Sequence, residues 1–405
     1  MGRRVVVTSL GVVSALGFSA KEIIGSLRSG KVAFRRPDFD LEVCTCPIEK
    51  PFDPKEFTGR YKNMRYLNRG AQLCAAAAMS AVKNGGINEE ALARAGLFVG
   101  VGPNLDLSGE CQEIKAGRME DKSLAALWIL RFLPNTPASA ISDLAGIHGE
   151  NATVSTACSA SLQAIGEGFR KIKDGYLDLA LAGGGDSRLS PGGILAYRKA
   201  QALWTGKSDC EEEFSPFDRS RKGFVPGEGG AFVLLEELDH ARARGARIFG
   251  EIRGFGASMD GYNMTAPEPG GRWAEKAVRT ALKEAGIEPS RVDLVSAHGT
   301  GTPLNDAMEA DLISRLYGEH KPFVIALKSW IGHLAAACGA VELAVSLACM
   351  QANYLPEIRN LREPCRNDIH FVRTPTSSPF GAMVLENFGF GGQNSALVVK
   401  RWNGS

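Results

Sequence analysis

Residues 152–175 read Ala-Thr-Val-Ser-Thr-Ala-Cys-Ser-Ala-Ser-Leu-Gln-Ala-Ile-Gly-Glu-Gly-Phe-Arg-Lys-Ile-Lys-Asp-Gly. Positions 152–156 are short and rich in β-branched residues, which predicts a buried strand. From Ser159 onward Leu162, Ile165, Phe169 and Ile172 recur at helical spacing, and Gly175 ends the pattern. Cys158 therefore falls between a strand and a helix. A thiol at a helix start faces the positive end of the helix dipole and free backbone N–H groups, and both lower its pKa. Ala157, Ser159 and Ala160 are small and leave room for a substrate. On spacing alone a nucleophile and an inert buried cysteine are equally good readings of Cys158; for the other eight cysteines the inert reading is preferred.

The strand-then-helix pattern recurs on both sides of this stretch. Upstream, Arg4–Thr8 and Leu97–Val101 read as strands around an Ala-rich helix over 71–84; downstream, strands are expected over 178–182 and 231–235. A second series starts at Ile248, with helices expected over 273–285, 306–316 and 334–352 and strands over 292–297, 323–327, 369–372, 382–386 and 396–401. Two β/α series with apolar strands predict a layered α/β protein with buried sheets. The division is placed near Gly245, giving halves 1–246 and 247–405.

Composition removes several function classes. Lys plus Arg is 47 against 45 Asp plus Glu, a net charge of +2, so the chain has no bulk polyanion-binding character and no nucleic-acid partner is expected. Hydrophobic residues at 44% exclude extensive disorder. The nine cysteines are irregularly spaced with no CxxC, so neither a disulfide scaffold nor a zinc site is expected, and a reducing, cytoplasmic setting is the default. Thr8, Ser9 and Gly11 interrupt the first apolar run, which makes it a poor signal peptide, and no apolar run is read as membrane-spanning.

Two histidines sit at further strand-to-helix junctions. His298 opens His-Gly-Thr-Gly-Thr (298–302), and His333 closes Lys-Ser-Trp-Ile-Gly-His (328–333). An imidazole at a helix start tends to stay neutral and to donate a hydrogen bond. The pair lacks HExxH or HxxxH spacing, so no metal is expected. Phe388-Gly-Phe-Gly-Gly-Gln-Asn394 joins two predicted strands and has the form of a glycine-rich hairpin; neither a dinucleotide fingerprint nor a Walker A motif is present.

Taken in order, Thr-Ala-Cys158-Ser-Ala, His298-Gly-Thr-Gly-Thr, Lys328-Ser-Trp-Ile-Gly-His333 and Phe388-Gly-Phe-Gly-Gly resemble the β-ketoacyl-acyl carrier protein synthases, the elongating ketosynthases of the thiolase superfamily. The resemblance runs almost end to end and includes Ser215-Pro-Phe-Asp218, Gly223-Phe-Val-Pro-Gly-Glu228 and Asp260-Gly-Tyr-Asn-Met-Thr265. It implies a thiolase-like fold of two pseudo-symmetric halves in five α-β-α-β-α layers, a homodimer or a heterodimer with a ketosynthase-like chain, and acyl carrier protein as partner. It implies an acyltransferase performing a decarboxylating Claisen condensation, with Cys158 as nucleophile and the backbone N–H groups of Cys158 and Phe390 as oxyanion hole. His298 and His333 would donate to the malonyl thioester, with Lys328, Glu342 and Glu309 in support. Thr300 and Thr302 would hold the pantetheine arm, and Phe390 would gate the site. Tyr197 would line the acyl pocket, and Lys62 and Arg65 would dock the carrier protein. No cofactor is implied beyond the carrier's own phosphopantetheine.

The chain departs from the family pattern at Trp330, Asn305, Gln393 and Asn263, and the stretch 105–135, which includes residues setting chain length, matches poorly. A ring as large as Trp330, two positions before Gly332, is expected to reshape the site. A specialised polyketide or polyene pathway therefore fits at least as well as routine fatty-acid elongation. The alternative to an active enzyme is a non-catalytic, chain-length-factor-like partner subunit, which typically lacks the cysteine.

Overall fold

The computed structural model describes residues 2–106 and 126–404. Of the poorly matching stretch, 107–125, with Cys111, lies outside the described residues. The first half contributes β1 (Val5–Val13), β2 (Gly96–Gly100), β3 (Asn151–Val154), β4 (Leu179–Ser187) and β5 (Glu228–Glu237). The second contributes β6 (Gly250–Met259), β7 (Leu294–Ser296), β8 (Phe323–Ile325), the two-residue pieces β9 (Tyr354–Leu355), β10 (His370–Phe371) and β11 (Thr376–Ser377), then β12 (Ala382–Gly389) and β13 (Gln393–Lys400). The division expected after residue 246 falls between β5 and β6.

The two halves repeat one topology. In the first the order is β3-β2-β4-β5-β1, with β2 parallel to β3 and β4, and β5 antiparallel to β4 and β1. In the second it is β8-β7-β12-β13-β6 with the same directions at every pairing. The halves join where β1 runs antiparallel to β6, through Val5–Val7 opposite Ile252–Gly250.

Matching helices fill matching places: α1 (Arg69–Gly85), α2 (Thr136–Ala145) and α3 (Ala160–Lys173) in the first half, and α4 (Arg272–Ala285), α5 (Pro303–Tyr317) and α6 (Cys338–Ala352) in the second. Side-chain alternation assigns the layers. On β5, Val233 and Leu235 face a core shared with α3 and α6, whereas Phe232 and Leu234 face α1 and α2. On β12 and β13, Leu385, Leu397 and Val399 face that same central core, whereas Val384, Ala396 and Val398 face α4 and α5. Five layers result, α-β-α-β-α, as the resemblance implied, with α3 and α6 in the middle.

Three expectations need correction. β1 does not stop at Thr8: Ser9 Oγ donates to the Ala81 carbonyl at 2.6 Å, Thr8 donates to Glu236, and Gly11 lies where a Cβ would come within 2.0 Å of the Ala77 carbonyl. Ser9 and Gly11, which look like a stop signal, are what let α1 lie close on the strand, while Thr8 ties it to β5. Residues 335–352 are long and apolar enough to cross a membrane, contrary to the reading above, but 89% of them are buried in the protein, in the central layer. Cys44 and Cys210, read as inert thiols, form a disulfide with Cα atoms 6.0 Å apart in a small core with Trp204 and Phe214. They are 166 residues apart, so no spacing rule connects them.

Candidate active site

Two sharp backbone turns aim the chemistry. β3 ends at Val154 and α3 begins at Ala160, and a 3-10 turn over Ala157–Ser159 carries Cys158 between them. Ala157 has φ of 49°, a left-handed conformation that costs a non-glycine residue energy and turns the chain abruptly. The second half does the same: Ala335, φ 46°, opens the 3-10 turn Ala335–Ala337 before α6. His333 precedes that turn, and His298 follows β7.

Cys158 Sγ and one ring nitrogen from each of His298 and His333 all lie within 4.8 Å of one another, and all three residues are buried. The imidazoles meet edge to face with ring centroids 5.7 Å apart. The three adjoin a cavity of about 300 Å³, also lined by Tyr197, Phe224, Thr300, Thr302 and Phe390. Lys328 bears on whether this trio holds a metal. Its ammonium lies 3.1 Å from His298 Nδ1, a fixed positive charge that opposes a cation.

The hydrogen bonds determine the tautomer of each ring. An ammonium has no acceptor, so Lys328 Nζ donates to His298 Nδ1. The backbone N–H of Ala335 donates to His333 Nδ1 at 2.9 Å. With both Nδ1 atoms accepting, each neutral ring carries its proton on Nε2. Burial, with the Lys328 charge nearby, holds both imidazoles well below their usual pKa, so they are neutral at physiological pH. The pair brings two neutral N–H donors into the buried trio with the sulfur.

Lys328 is anchored by the His298 carbonyl at 2.6 Å and by Glu342 Oε1 at 2.6 Å. Burial works against its charge, but Glu342, with Cys338 and Glu309, outweighs it and raises its pKa to about 12. Glu342 is held in turn by Asn387 Nδ2 at 2.7 Å.

The thiol differs from expectation. Burial pushes Cys158 up to about 11, against the opposing pull of Lys328 and of the Phe390 backbone N–H, which donates to Sγ. It rests protonated; the helix start does not outweigh burial. Gly389 lets the Phe390 N–H reach it, because a Cβ there would stand 2.9 Å from the Thr156 carbonyl oxygen and 3.0 Å from Cys158 N.

Thr300 and Thr302 share a hydrogen bond at 2.9 Å on the cavity wall. Their loop is shaped by two carboxylates on α5. Glu309 accepts from the His298 and Gly299 backbone N–H groups at 2.5 and 2.8 Å. Asp306, which the sequence reading left without a role, accepts from the N–H groups of Phe217, Thr300 and Gly301 at 2.7, 3.0 and 3.1 Å. Its signal was its place one helical turn before Glu309. Asn387, also missed, has no such signal.

Lys62 and Arg65 are exposed on the turn Lys62–Tyr66 and are not part of the cavity wall. Trp330, expected to reshape the site, turns away: fully buried, its indole N–H donates to the Glu357 carbonyl at 2.8 Å. Asn305 donates to Asp306 and Glu309. Asn263 caps an exposed turn through the N–H groups of Thr265 and Ala266.

Comparison with known proteins identifies the family. Residues 2–241 match the model of the beta-ketoacyl synthase N-terminal domain, and residues 249–362 that of its C-terminal domain. The chain is 33% identical to the 3-oxoacyl-[acyl-carrier-protein] synthase 2 of Coxiella burnetii, over 98% of this chain and 99% of that protein. It superposes on the crystal structure of a beta-ketoacyl synthase from Burkholderia phymatum with a TM-score of 0.90 at 31% identity, covering 99% of this chain and all of the other. A type II polyketide ketosynthase, solved in complex with its acyl-carrier protein and bound to a hexaketide, superposes with a TM-score of 0.86 at 25% identity over the whole of both chains.

Proposed function

The chain belongs to the β-ketoacyl synthase family and is an acyltransferase of the condensing type, and from that premise we propose how its residues divide the reaction. An acyl thioester on a carrier protein's pantetheine arm enters past Thr300 and Thr302. Cys158 Sγ attacks the thioester carbon, the carbon–sulfur bond to pantetheine breaks, and the thiol proton ends on the departing pantetheine sulfur. The N–H groups of Cys158 and Phe390 receive the oxyanion, and the Lys328 charge eases ionisation of a buried sulfur.

A malonyl thioester then occupies the same cavity. Its carbonyl oxygen accepts from the Nε2–H of His298 and His333, which stabilises the enolate formed as the carboxylate leaves as CO2. The enolate carbon attacks the acyl group, the bond to Sγ breaks, and the sulfur recovers a proton from solvent. The histidines stay neutral throughout, and no step calls for a metal or redox group.

The observation that carries this reading is that both Nδ1 atoms are occupied by donors, which leaves two Nε2–H groups beside one thiol. A chain-length-factor-like subunit has no use for that arrangement. The reading includes acyl carrier protein docking at Lys62 and Arg65, a dimer, and a cytoplasmic setting. Six free cysteines among the described residues support a reducing compartment against one disulfide. Incubation with an acyl-carrier protein thioester followed by intact mass measurement tests the proposal: an acyl adduct on Cys158 that disappears in Cys158→Ala is expected. Acylation at an undiminished rate in that variant overturns it.

A further inference from the structure

The helix α4 turns one face inward, with Ala274, Ala277, Val278, Ala281 and Leu282 buried against the sheet. On its other face Arg272, Lys276, Arg279 and Lys283 recur at i, i+4, i+7 and i+11, and all four are exposed. At 1.5 Å per residue the stripe is about 16 Å long. Arg315 of α5 joins it, so that five cations line one surface groove of about 440 Å³ with a single carboxylate, Glu275. Glu275 accepts from Arg279 Nε at 2.7 Å and from Arg315 Nε at 2.8 Å. Arg272, Lys276 and Lys283 form no ion pair among the described residues. Arg272 and Lys276 lie over the Trp273 ring instead, 4.7 and 5.0 Å from its centroid. Glu268, at the rim, is taken up by the backbone N–H groups of Gly270 and Arg272.

Within the chain this arrangement is unfavourable. Neighbouring like charges on one helix face destabilise the helix, and Arg272 stands on the first turn, where the helix dipole disfavours a cation. An anion from outside reverses both effects. The whole chain carries only +2, so the charge is concentrated in one narrow row, which is unsuited to a nucleic-acid duplex. No large apolar side chain of the stripe is exposed to enter a lipid surface. A row of cations at helical spacing fits a second helix that carries carboxylates at the same spacing.

Position selects the partner. Thr265 and Leu304 line the cavity beside Cys158 and are exposed, which puts its mouth at the surface there. Pro267 also lines that cavity and Gly270 lines the groove, and three residues span at most about 11 Å. The loop between them is fixed: Glu268 N donates to Asp260 Oδ2 at 3.0 Å, and Arg315 donates to the Gly270 carbonyl at 3.1 Å. A protein seated in the groove therefore stands beside the mouth.

We propose that the α4 stripe is a docking surface for an acidic helix of the carrier protein, held beside the mouth while the pantetheine arm enters. This rests on the condensing reading above and adds to Lys62 and Arg65 a surface that the resemblance did not indicate.

The test compares two octanoyl donors in the acylation of Cys158, read by intact mass: octanoyl-N-acetylcysteamine, which brings no protein, and octanoyl-loaded acyl carrier protein from the same organism. In Lys276→Glu/Lys283→Glu the carrier-bound donor should load roughly 10–100-fold more slowly at low salt, with the gap closing as salt rises, while the free thioester stays within about twofold of the unaltered protein. Retained loading from the free thioester shows that the variant is folded. An undiminished carrier-bound rate overturns the inference. An equal loss with both donors overturns it too, since docking acts on the carrier alone. Loss of binding to a short DNA duplex, with carrier kinetics unchanged, would overturn it by assigning the stripe to nucleic acid. No loading from either donor in the unaltered protein would instead overturn the condensing function, and this inference with it.

Discussion

Replacing Lys328 by Met separates the two half-reactions. The side chain keeps similar length and bulk but loses three donor contacts: His298 Nδ1 at 3.1 Å, the His298 carbonyl at 2.6 Å and Glu342 at 2.6 Å. Without the first, nothing charged holds the His298 proton on Nε2. A hydrogen bond to a charged group contributes about 1.5–3 kcal/mol. Losing that bias lowers enolate stabilisation by roughly 10–100-fold, because each 1.4 kcal/mol is a factor of ten. Glu342 is left as a buried, unpaired carboxylate, and breaking such a pair costs about 3–5 kcal/mol of stability. The double variant Lys328→Met/Glu342→Gln removes the orphaned charge. It should recover most of the stability and none of the decarboxylation. The assay pairs CO2 release from malonyl thioester with thermal unfolding. Recovery of decarboxylation in the double variant would refute the tautomer argument, since it would mean that Lys328 acts only by keeping the site folded.

Other perturbations probe the remaining parts. His333→Ala should slow malonyl decarboxylation by roughly 10²–10³, as expected for one oxyanion donor, with acylation of Cys158 less affected; equal losses in both would contradict the division of roles. Gly389→Ala forces a methyl against Thr156 O and Cys158 N, so it should displace the Phe390 N–H and slow acyl transfer about 10–100-fold, measured by the rate of adduct formation. The histidines set a pH dependence whose sign is fixed. Both are buried neutral, with pKa values well below 6.5 in the folded protein, so below about pH 6.5 the unfolded chain binds more protons. Their contribution to stability is complete above that pH and declines as pH falls through it, whereas decarboxylation should stay level across pH 6–7. A rise in stability on acidification through this window, in chemical denaturation, would count against neutral buried rings.

The sequence made some of this visible and hid the rest for physical reasons. Cys158, His298 and His333 could be picked out because each stands at a strand-to-helix junction among small residues. Two series of apolar strands and helices showed a layered α/β protein, and the five-layer arrangement came from the family resemblance. The resemblance pointed to Lys328 as support, but not to its contact with His298 Nδ1 across 30 residues, and Ala335 acts through a backbone N–H that any residue but proline provides. The thiol was misjudged because a helix start is a local signal, whereas burial depends on the whole fold. Trp330 was misjudged because the direction of a side chain within its turn is decided by packing, here toward Glu357.

The twin turns have a kinetic consequence. Counting from the left-handed alanines, Cys158 in the first half corresponds to Ala336 in the second. The scaffold is doubled but the sulfur is not. A chain whose one covalent anchorage opens, among the described residues, on the cavity beside it must receive donor and extender in succession, the first carrier departing before the second arrives. Initial-rate plots against the two thioesters should therefore give parallel lines, with each substrate inhibiting the other at excess.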